Sequence, residues 1–295
     1  MTRLQVAILA VATLGAALCI WILLPVSLAA PRPREYTTEL VHAGAYQWFY
    51  VTEGSLPPTF FQRGVERQIA QLFVHILSTR DAPDAVVWDI GMNSGYYTGL
   101  AAVAGVVVHA WEPQPKCHEM MAWTILKNGF TNVHPHLAGA GLESRIIKQG
   151  TRICDSGYQV GQQSADDQSV DVPVERLSYY DHNVILAKID TEGYEVFILQ
   201  DLLPLFVAGR IKNIIVEVVP HIWRDAGAGV QVLEQLQRHA RTTLLLEDGR
   251  APRVGVMPTT HAHVSGSVYT ITNMAHFLLK GRKPNMSGCN VWFSN

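Results

Sequence analysis

The sequence contains few cysteines and almost no net charge. Its four cysteines show no CxxC spacing, which indicates neither a disulfide framework nor a zinc site: Cys19, Cys117, Cys154 and Cys289. The formal net charge of -2 gives no reason to expect a polyanionic partner, so no nucleic-acid binding is predicted. Internal repeats are also missing, which argues against a repeat architecture. The cysteines therefore do not indicate whether the protein is in an oxidising or a reducing compartment.

Length and composition predict one catalytic domain with an appendage. With 48% hydrophobic residues, the 295-residue chain can bury one sizeable core. The changes in composition along it predict an N-terminal membrane segment at 1–30, a lead-in segment with a packing helix at 31–80, and a main domain at 81–295.

The longest apolar stretch is "LQVAILAVATLGAALCIWILL" at 4–24, and it contains no charged residue. A helix of about 20 residues, rising 1.5 Å per residue, is long enough to cross a hydrocarbon core of roughly 30 Å. The stretch therefore predicts a single-pass membrane anchor. The alternative is a signal peptide cleaved near "SLAA" at 27–30, which would place the protein in the secretory pathway or outside the cell. Charges flanking the stretch do not decide its orientation.

From residue 85 onward, short apolar runs alternate with amphipathic ones. The apolar runs predict strands at 85–90, 106–111, 133–136, 184–189 and 213–219. Helical patterns such as "CHEMMAWTILKNG" and "EGYEVFILQDLLPLF" lie between them. The main domain is therefore predicted to be an open α/β sheet. In the lead-in, "GVERQIAQLFVHIL" has helical spacing, and the aromatic residues at 46–50 are expected to pack on the main domain.

The first candidate site is "VVWDIGMNSGYYTGL" at 86–100, where a strand passes into a helix. Asp89 lies at the strand end, and Gly91 and Gly95 flank Asn93. In open α/β sheets, ligands bind beyond the carboxyl ends of the strands, and helix N-termini favour anionic groups. Further along, "VVVHAWEP" ends in Glu112 and Pro113, where an acid can accept hydrogen bonds from ribose hydroxyls.

Two cofactors are candidates for a site with this geometry, a dinucleotide and S-adenosylmethionine. A dinucleotide site requires G-x-G-x-x-G, but counting from Gly91 the third position is Asn93 and the sixth is Tyr96. An acid followed by G-x-N-x-G suits S-adenosylmethionine better, because its cationic groups are attracted by acids such as Asp89. The predicted cofactor-binding residues are Asp89, Gly91, Asn93, Gly95, Glu112 and Pro113.

The second candidate site is "VILAKIDTEGYE", a predicted strand that ends at Asp190. Asp190 is expected beside the transferred methyl group, and the predicted catalytic residues are Asp190, Glu192 and His221, with His221 as the alternative base. For Glu195, helix capping and a functional role both remain open. Asp190, Glu192 and Glu217 could converge on a divalent ion, but nothing in the sequence fixes the number of ligands, so no metal is predicted.

These motifs together resemble those of the FkbM-type methyltransferases, a branch of the Rossmann-like S-adenosylmethionine-dependent enzymes. The resemblance rests on "DIGMNSGYYTGLAAVAG", "VVVHAWEPQP", "ILAKIDTEGYEVFIL" and "IIVEV", and it covers about residues 60–295. It implies a Rossmann-like methyltransferase fold, with a mostly parallel seven-stranded sheet flanked by helices. The resemblance does not cover the N-terminal transmembrane helix, which the apolar stretch at 4–24 predicts. It also implies S-adenosylmethionine as cofactor and "SGCNVWFSN" as the last strand. Met92 departs from the family, which often has Ala there.

Three functions follow from these observations. The first is O-methylation of a small-molecule hydroxyl, on a sugar, a lipid-linked compound or a natural product, by a membrane-tethered enzyme. The second is a nicotinamide-dependent oxidoreductase on the same sheet. The third is a membrane-anchored protein that binds S-adenosylmethionine without turnover.

Overall fold

The computed structural model describes residues 36–53, 66–151, 154, 168–246, 254–280 and 288–295. The predicted membrane segment at 4–24 lies outside these residues, so the anchor stays a prediction. Across the described ranges, no helix combines the length and the apolar character that a membrane span requires.

The described chain contains strands and helices, which alternate over part of its length. The strands are β1 (Tyr36–Ala43), β2 (Tyr46–Glu53), β3 (Val86–Ile90), β4 (Val107–Trp111), β5 (Val133–His136), β6 (Gly139–Ala140), β7 (Arg145–Gly150), β8 (Ser169–Glu175), β9 (Val184–Ile189), β10 (Asn213–Val218), β11 (Thr242–Leu246), β12 (Val256–His261), β13 (Val264–Ile271) and β14 (Cys289–Ser294). The helices are α1 (Arg67–Ser78), α2 (Tyr96–Val103), α3 (Pro115–Asn128), α4 (Glu195–Val207), α5 (Ala226–His239) and α6 (Met274–Lys280).

The central sheet has nine strands in the order β12-β13-β11-β14-β10-β9-β3-β4-β5. The pairs from β5 to β10 are parallel, whereas β14 is antiparallel to both of its neighbours. The mostly parallel sheet is confirmed, and the chain ends in a strand as expected. The prediction of seven strands was wrong, because the hairpin β12–β13 extends one edge. Most positions of β12 are exposed or half-buried, so the hairpin gives little apolar signal in the sequence.

The five strands predicted from apolar runs are confirmed to within one residue at each end. Every residue of β3 and of β9 is buried. A strand covered on both faces reads as a continuous apolar run, and this explains why these two strands were visible in the sequence. Polar residues in such a strand therefore stand out.

Two hydrophobic clusters cover the two faces of the sheet. One includes Ile90 and residues of α4 and α5. The other includes Val87 and residues of α1, α2 and the β1–β2 hairpin. In that hairpin Trp48 is buried, and its ring centroid lies 5.2 Å from that of Tyr96 in α2. The expectation that the lead-in aromatics pack on the main domain is thus confirmed for Trp48.

A disulfide joins Cys117, near the start of α3, to Cys154. The sequence analysis found no indication of one, and this was wrong. The two cysteines are 37 residues apart in the chain, yet their Cα atoms lie 4.9 Å apart. Spacing along the chain gave no sign of the pair, because the fold brings the two residues together.

Candidate active site

The cofactor loop is the segment 91–95 between β3 and α2. Gly91, Asn93 and Gly95 all have positive φ, at 81°, 52° and 91°. The backbone N–H groups of Gly91 and Met92 both donate to the carbonyl oxygen of Trp111, at 2.8 and 3.1 Å. The loop is therefore a tight turn fixed to the carboxyl end of β4.

Both glycines of the cofactor loop lie against protein atoms. A Cβ added at Gly91 would lie 1.7 Å from the carbonyl oxygen of Asp190, and one at Gly95 would lie 2.2 Å from Sδ of Met121. The sequence predicts that both glycines bind the cofactor. The structure gives a further reason for a glycine here, because a side chain at Gly91 would collide with the start of the second motif. The backbone N–H of Asp190 also donates to Ile90 O at 3.0 Å, so the two motifs are in direct contact.

Glu112 is buried at the end of β4 and faces the cofactor loop. Its Oε2 accepts a hydrogen bond from Asn93 N at 3.0 Å, and its Oε1 accepts one from Gln114 N at 2.9 Å. Burial raises the pKa of Glu112 to about 7, although these two hydrogen bonds oppose the shift. A carboxylate offers about four lone-pair positions, so the two ribose hydroxyls expected there still have acceptors. Pro113 follows at the bend before α3 and is half-buried.

Asp89 lies in β3, two residues before the cofactor loop, and is 1% exposed. Its Oδ2 accepts from Oγ1 of Thr98 at 2.6 Å, whereas its Oδ1 has no hydrogen-bond partner within the described part of the chain. Burial raises the pKa of Asp89. A buried polar atom without a partner is uncommon and points to a ligand or water. Together with Glu112, this unpaired oxygen fits the cationic groups and the ribose of S-adenosylmethionine.

The sequence analysis missed Lys188, which lies 3% exposed inside β9. Its Nζ lies 2.8 Å from Oδ2 of Asp190. Burial alone would lower the pKa of Lys188, but the carboxylates of Asp190, Glu66 and Asp89 raise it above its usual range. The lysine therefore stays charged and holds the Asp190 carboxylate. One lysine in an otherwise apolar strand was the signal that could have identified it.

Glu66 was also missed, because it lies outside both motifs, just before α1. Its Oε2 accepts a hydrogen bond from the Tyr97 hydroxyl at 2.9 Å. Burial raises the pKa of Glu66, while Lys188 opposes that shift. Only the packing of α1 on α2 brings Glu66 to this site.

Three carboxyl groups converge at the carboxyl edge of the sheet: Asp190, Glu192 and Glu217 each offer an oxygen atom within 4.8 Å of the other two. Burial, followed by repulsion from neighbouring carboxylates, raises the pKa of Glu217 to about 9. Glu217 is therefore protonated at neutral pH. Oxygen ligands of this kind suit a divalent cation, but acidic groups also cluster without one. His221 lies beyond β10, is exposed and is not part of this group.

Glu195 has a structural role in the second motif. Its carboxylate accepts hydrogen bonds from Thr191 N at 2.8 Å, Gly193 N at 3.0 Å and Trp223 Nε1 at 3.0 Å. These bonds hold the turn between β9 and α4 and join it to the segment after β10. This geometry favours a structural role over a catalytic one, but not helix capping, because the N-cap of α4 is Tyr194 and the Thr191 and Gly193 donors precede the helix.

Comparisons with solved structures give weak matches only. An FkbM methyltransferase from Methylobacillus flagellatus KT is 14% identical with a TM-score of 0.39, covering 65% of this chain and 44% of that one. A precorrin-6y C5,15-methyltransferase from Geobacter metallireducens GS-15 is 12% identical with a TM-score of 0.38, covering 78% of this chain and 91% of that one. The chain thus spans less than half the length of the Methylobacillus protein. These similarities are too low to carry an argument about mechanism.

The comparison with protein families is decisive. No curated protein matches the chain. A family model described as the methyltransferase FkbM domain matches residues 89–244, more than half of the chain, and includes both motifs. The cofactor of this family is S-adenosylmethionine, which agrees with the residues of the cofactor loop. The chain belongs to the FkbM methyltransferase family.

Proposed function

We propose that the protein is an S-adenosylmethionine-dependent methyltransferase that methylates a hydroxyl group of a small molecule, such as a sugar or a lipid-linked compound. One observation carries this proposal: the carbonyl oxygen of Asp190 lies where a Cβ of Gly91 would be. Since the second motif touches the cofactor loop, an acceptor hydroxyl beside Asp190 would also be next to the cofactor.

Asp190 is the base that we assign to the reaction. Bound S-adenosylmethionine supplies an activated methyl group, so the protein has to align the acceptor and take up its proton. The Asp190 side chain is 25% exposed, so an acceptor can reach it, and Lys188 Nζ fixes one of its oxygens at 2.8 Å. Glu217 Oε2 is buried and has no hydrogen-bond partner within the described residues, so the carboxyl group, protonated at neutral pH, is available to donate to the acceptor. Glu192 and His221 remain the alternative catalytic groups.

The family match favours methyl transfer over the nicotinamide-dependent alternative. It does not by itself separate an active enzyme from a protein that only binds S-adenosylmethionine. Titration calorimetry of the full chain with S-adenosylmethionine, S-adenosylhomocysteine and NAD tests the cofactor. We expect micromolar binding of the first two and none of NAD. Binding of NAD alone would contradict the proposal.

Turnover is tested with a methyl-labelled donor and a panel of sugar, lipid-linked and natural-product acceptors. With an acceptor found, Asp190→Asn should lower kcat at least a hundredfold and change the Kd of S-adenosylhomocysteine by less than threefold, within the range typical of losing a general base. Asp81→Asn is the matched control, because Asp81 is exposed at the opposite edge of the sheet, before β3. A fully active Asp190→Asn enzyme would remove Asp190 from the mechanism.

The membrane anchor at 4–24 is part of the proposal and places the acceptor near a membrane surface. Fractionation of cells that express the full chain tests it. Recovery in the membrane fraction after a carbonate wash supports an uncleaved anchor. A shorter chain in the culture medium supports cleavage of a signal peptide.

A further inference from the structure

A cavity of about 160 Å³ lies on the α4 side of the sheet, lined by residues from three parts of the chain. The lining comes from the small sheet β6-β8-β7 (Arg145 and Val174), from the segment between β6 and β7 (Gly141, Leu142 and Glu143), from the start of α4 (Tyr194 and Phe197) and from the segment before α5 (Arg224). These segments follow the carboxyl ends of β5, β9 and β10, and the cofactor loop follows the carboxyl end of β3. The cavity therefore opens at the edge of the sheet where the cofactor site lies.

Two arginines meet at this cavity around one tyrosine. A guanidinium nitrogen of Arg145 donates to the Tyr194 hydroxyl at 2.6 Å. The guanidinium carbon of Arg145 lies 5.6 Å from the centroid of the Tyr194 ring, and that of Arg224 lies 5.1 Å from it. Tyr194 is buried, so its ring is a fixed platform between β9 and the cavity.

Among the residues that the structure describes, no acidic side chain forms an ion pair with either arginine. Arg176 and Arg210 pair with Asp201 and Asp181, at 3.0 and 2.7 Å. In the same described ranges, neither Arg145 nor Arg224 forms an ion pair. Glu143 also lines the cavity, so the lining carries two positive charges against one negative charge. The cavity is thus a cationic site beside a buried aromatic ring.

This chemistry selects an oxyanion. A guanidinium group offers a planar fork of donors that matches the oxygens of a carboxylate or phosphate. The rings of Tyr194 and Phe197, with centroids 5.7 Å apart, offer apolar surface for the carbon skeleton that carries the anion. The volume is below the roughly 300–1,000 Å³ of clefts that enclose a whole ligand, so one substituent fits rather than a complete acceptor.

We propose that this cavity binds an anionic substituent, phosphate or carboxylate, of the methyl acceptor. The inference rests on the proposed methyltransferase function and narrows its acceptors to anionic ones. Tyr194 is four residues from Asp190 in the chain, and Glu195 bonds both to the turn after Asp190 and to Trp223, next to Arg224. An acceptor held at the arginines would therefore be oriented by the turn that carries the proposed base.

The test is titration calorimetry. The full-length protein is first saturated with S-adenosylhomocysteine and is then titrated separately with glucose 1-phosphate, glucuronate, inorganic phosphate and glucose. We expect at least one of the three anions to bind, with glucose at least tenfold weaker. The variants are Arg145→Gln, Arg224→Gln and the double variant. Each single change should weaken anion binding by on the order of tenfold, through loss of a charge-assisted hydrogen bond. Arg145→Lys and Arg224→Lys, which keep the charge, should lose less.

Arg238→Gln is the matched control, since it removes one charge from an exposed position at the far end of α5. Equal binding of anions by the double variant and the Arg238→Gln protein would overturn the inference, as would no anion binding by the wild-type protein. A preference for glucose 1-phosphate over glucuronate identifies phosphate as the group, and the reverse identifies carboxylate. Titration with S-adenosylhomocysteine alone separately measures cofactor binding, on which the proposed function depends, because both arginines lie outside the cofactor loop.

Discussion

Replacing Gly91 with alanine should disrupt the contact between the two motifs. Its φ of 81° costs an alanine about 1–2 kcal/mol, and its Cβ would lie 1.7 Å from the Asp190 carbonyl oxygen. No ordinary contact between these atoms is shorter than about 3 Å, so the backbone of the loop or of Asp190 must move by more than about 1 Å. Overpacking of a rigid site adds about 1–3 kcal/mol.

Gly105 provides a matched control. Its φ is 78°, but a Cβ there meets nothing within 4 Å. Gly105→Ala therefore carries only the backbone cost, which the lower entropy of the unfolded chain offsets by about 0.4–1 kcal/mol. We expect Gly105→Ala to lose roughly 0–1.5 kcal/mol, and Gly91→Ala to lose about 1–3 kcal/mol more than Gly105→Ala because of the collision.

Thermal unfolding followed by circular dichroism measures the difference. At about 2–4 °C per kcal/mol for a domain of this size, the Tm of Gly91→Ala should lie roughly 2–12 °C below that of Gly105→Ala. Gly91→Ala should also weaken S-adenosylhomocysteine binding at least tenfold, while Gly105→Ala leaves it unchanged. Equal losses of Tm in the two variants would refute the contact between Gly91 and Asp190.

Four further predictions follow from the carboxylates of the site. Glu112→Ala should weaken S-adenosylhomocysteine binding by on the order of tenfold or more, since charge-assisted hydrogen bonds are worth about 1.5–3 kcal/mol each; an unchanged Kd in calorimetry would disprove the ribose assignment. Because the pKa of Glu112 is about 7, the wild-type affinity should fall as pH drops below 7, and a flat profile between pH 6 and 8 would contradict this. The pKa of Glu217 is about 9 in the folded protein, against an ordinary value of 4.5. Between these two pH values the folded protein binds a proton that the unfolded chain has lost, so the free energy of unfolding should fall as pH rises from about 4.5 to 9. Glu217→Gln should remove this pH dependence and raise the free energy of unfolding at pH 8 by on the order of a few kcal/mol, measured by urea unfolding. If the pH dependence persists in the variant, other groups cause it. Methyl transfer should be insensitive to EDTA, because Lys188 already supplies a positive charge 2.8 Å from Asp190. If EDTA abolishes the activity and Mg²⁺ restores it, a metal ion binds at the three carboxyl groups instead.

The sequence by itself determined the features that are local or periodic. Continuous apolar runs fixed β3 and β9, because a strand covered on both faces reads as apolar throughout. The acid and glycines of the cofactor loop are adjacent in the chain, so the family and its cofactor could be recognised without coordinates. Asp190 was found for the same reason, as the polar end of an apolar strand.

Only the tertiary structure decided which distant residues meet. Gly91 needs to be glycine because of Asp190, and Lys188 compensates charges from Glu66 and Asp89 that come from other parts of the chain. The hairpin β12–β13 and the Cys117–Cys154 disulfide were missed, the first because its strands are largely polar and the second because 37 residues separate the partners. The same holds for the cationic cavity, whose two arginines share no motif. Local pattern is encoded in neighbouring residues, whereas charge pairing and close packing depend on contacts that only folding creates.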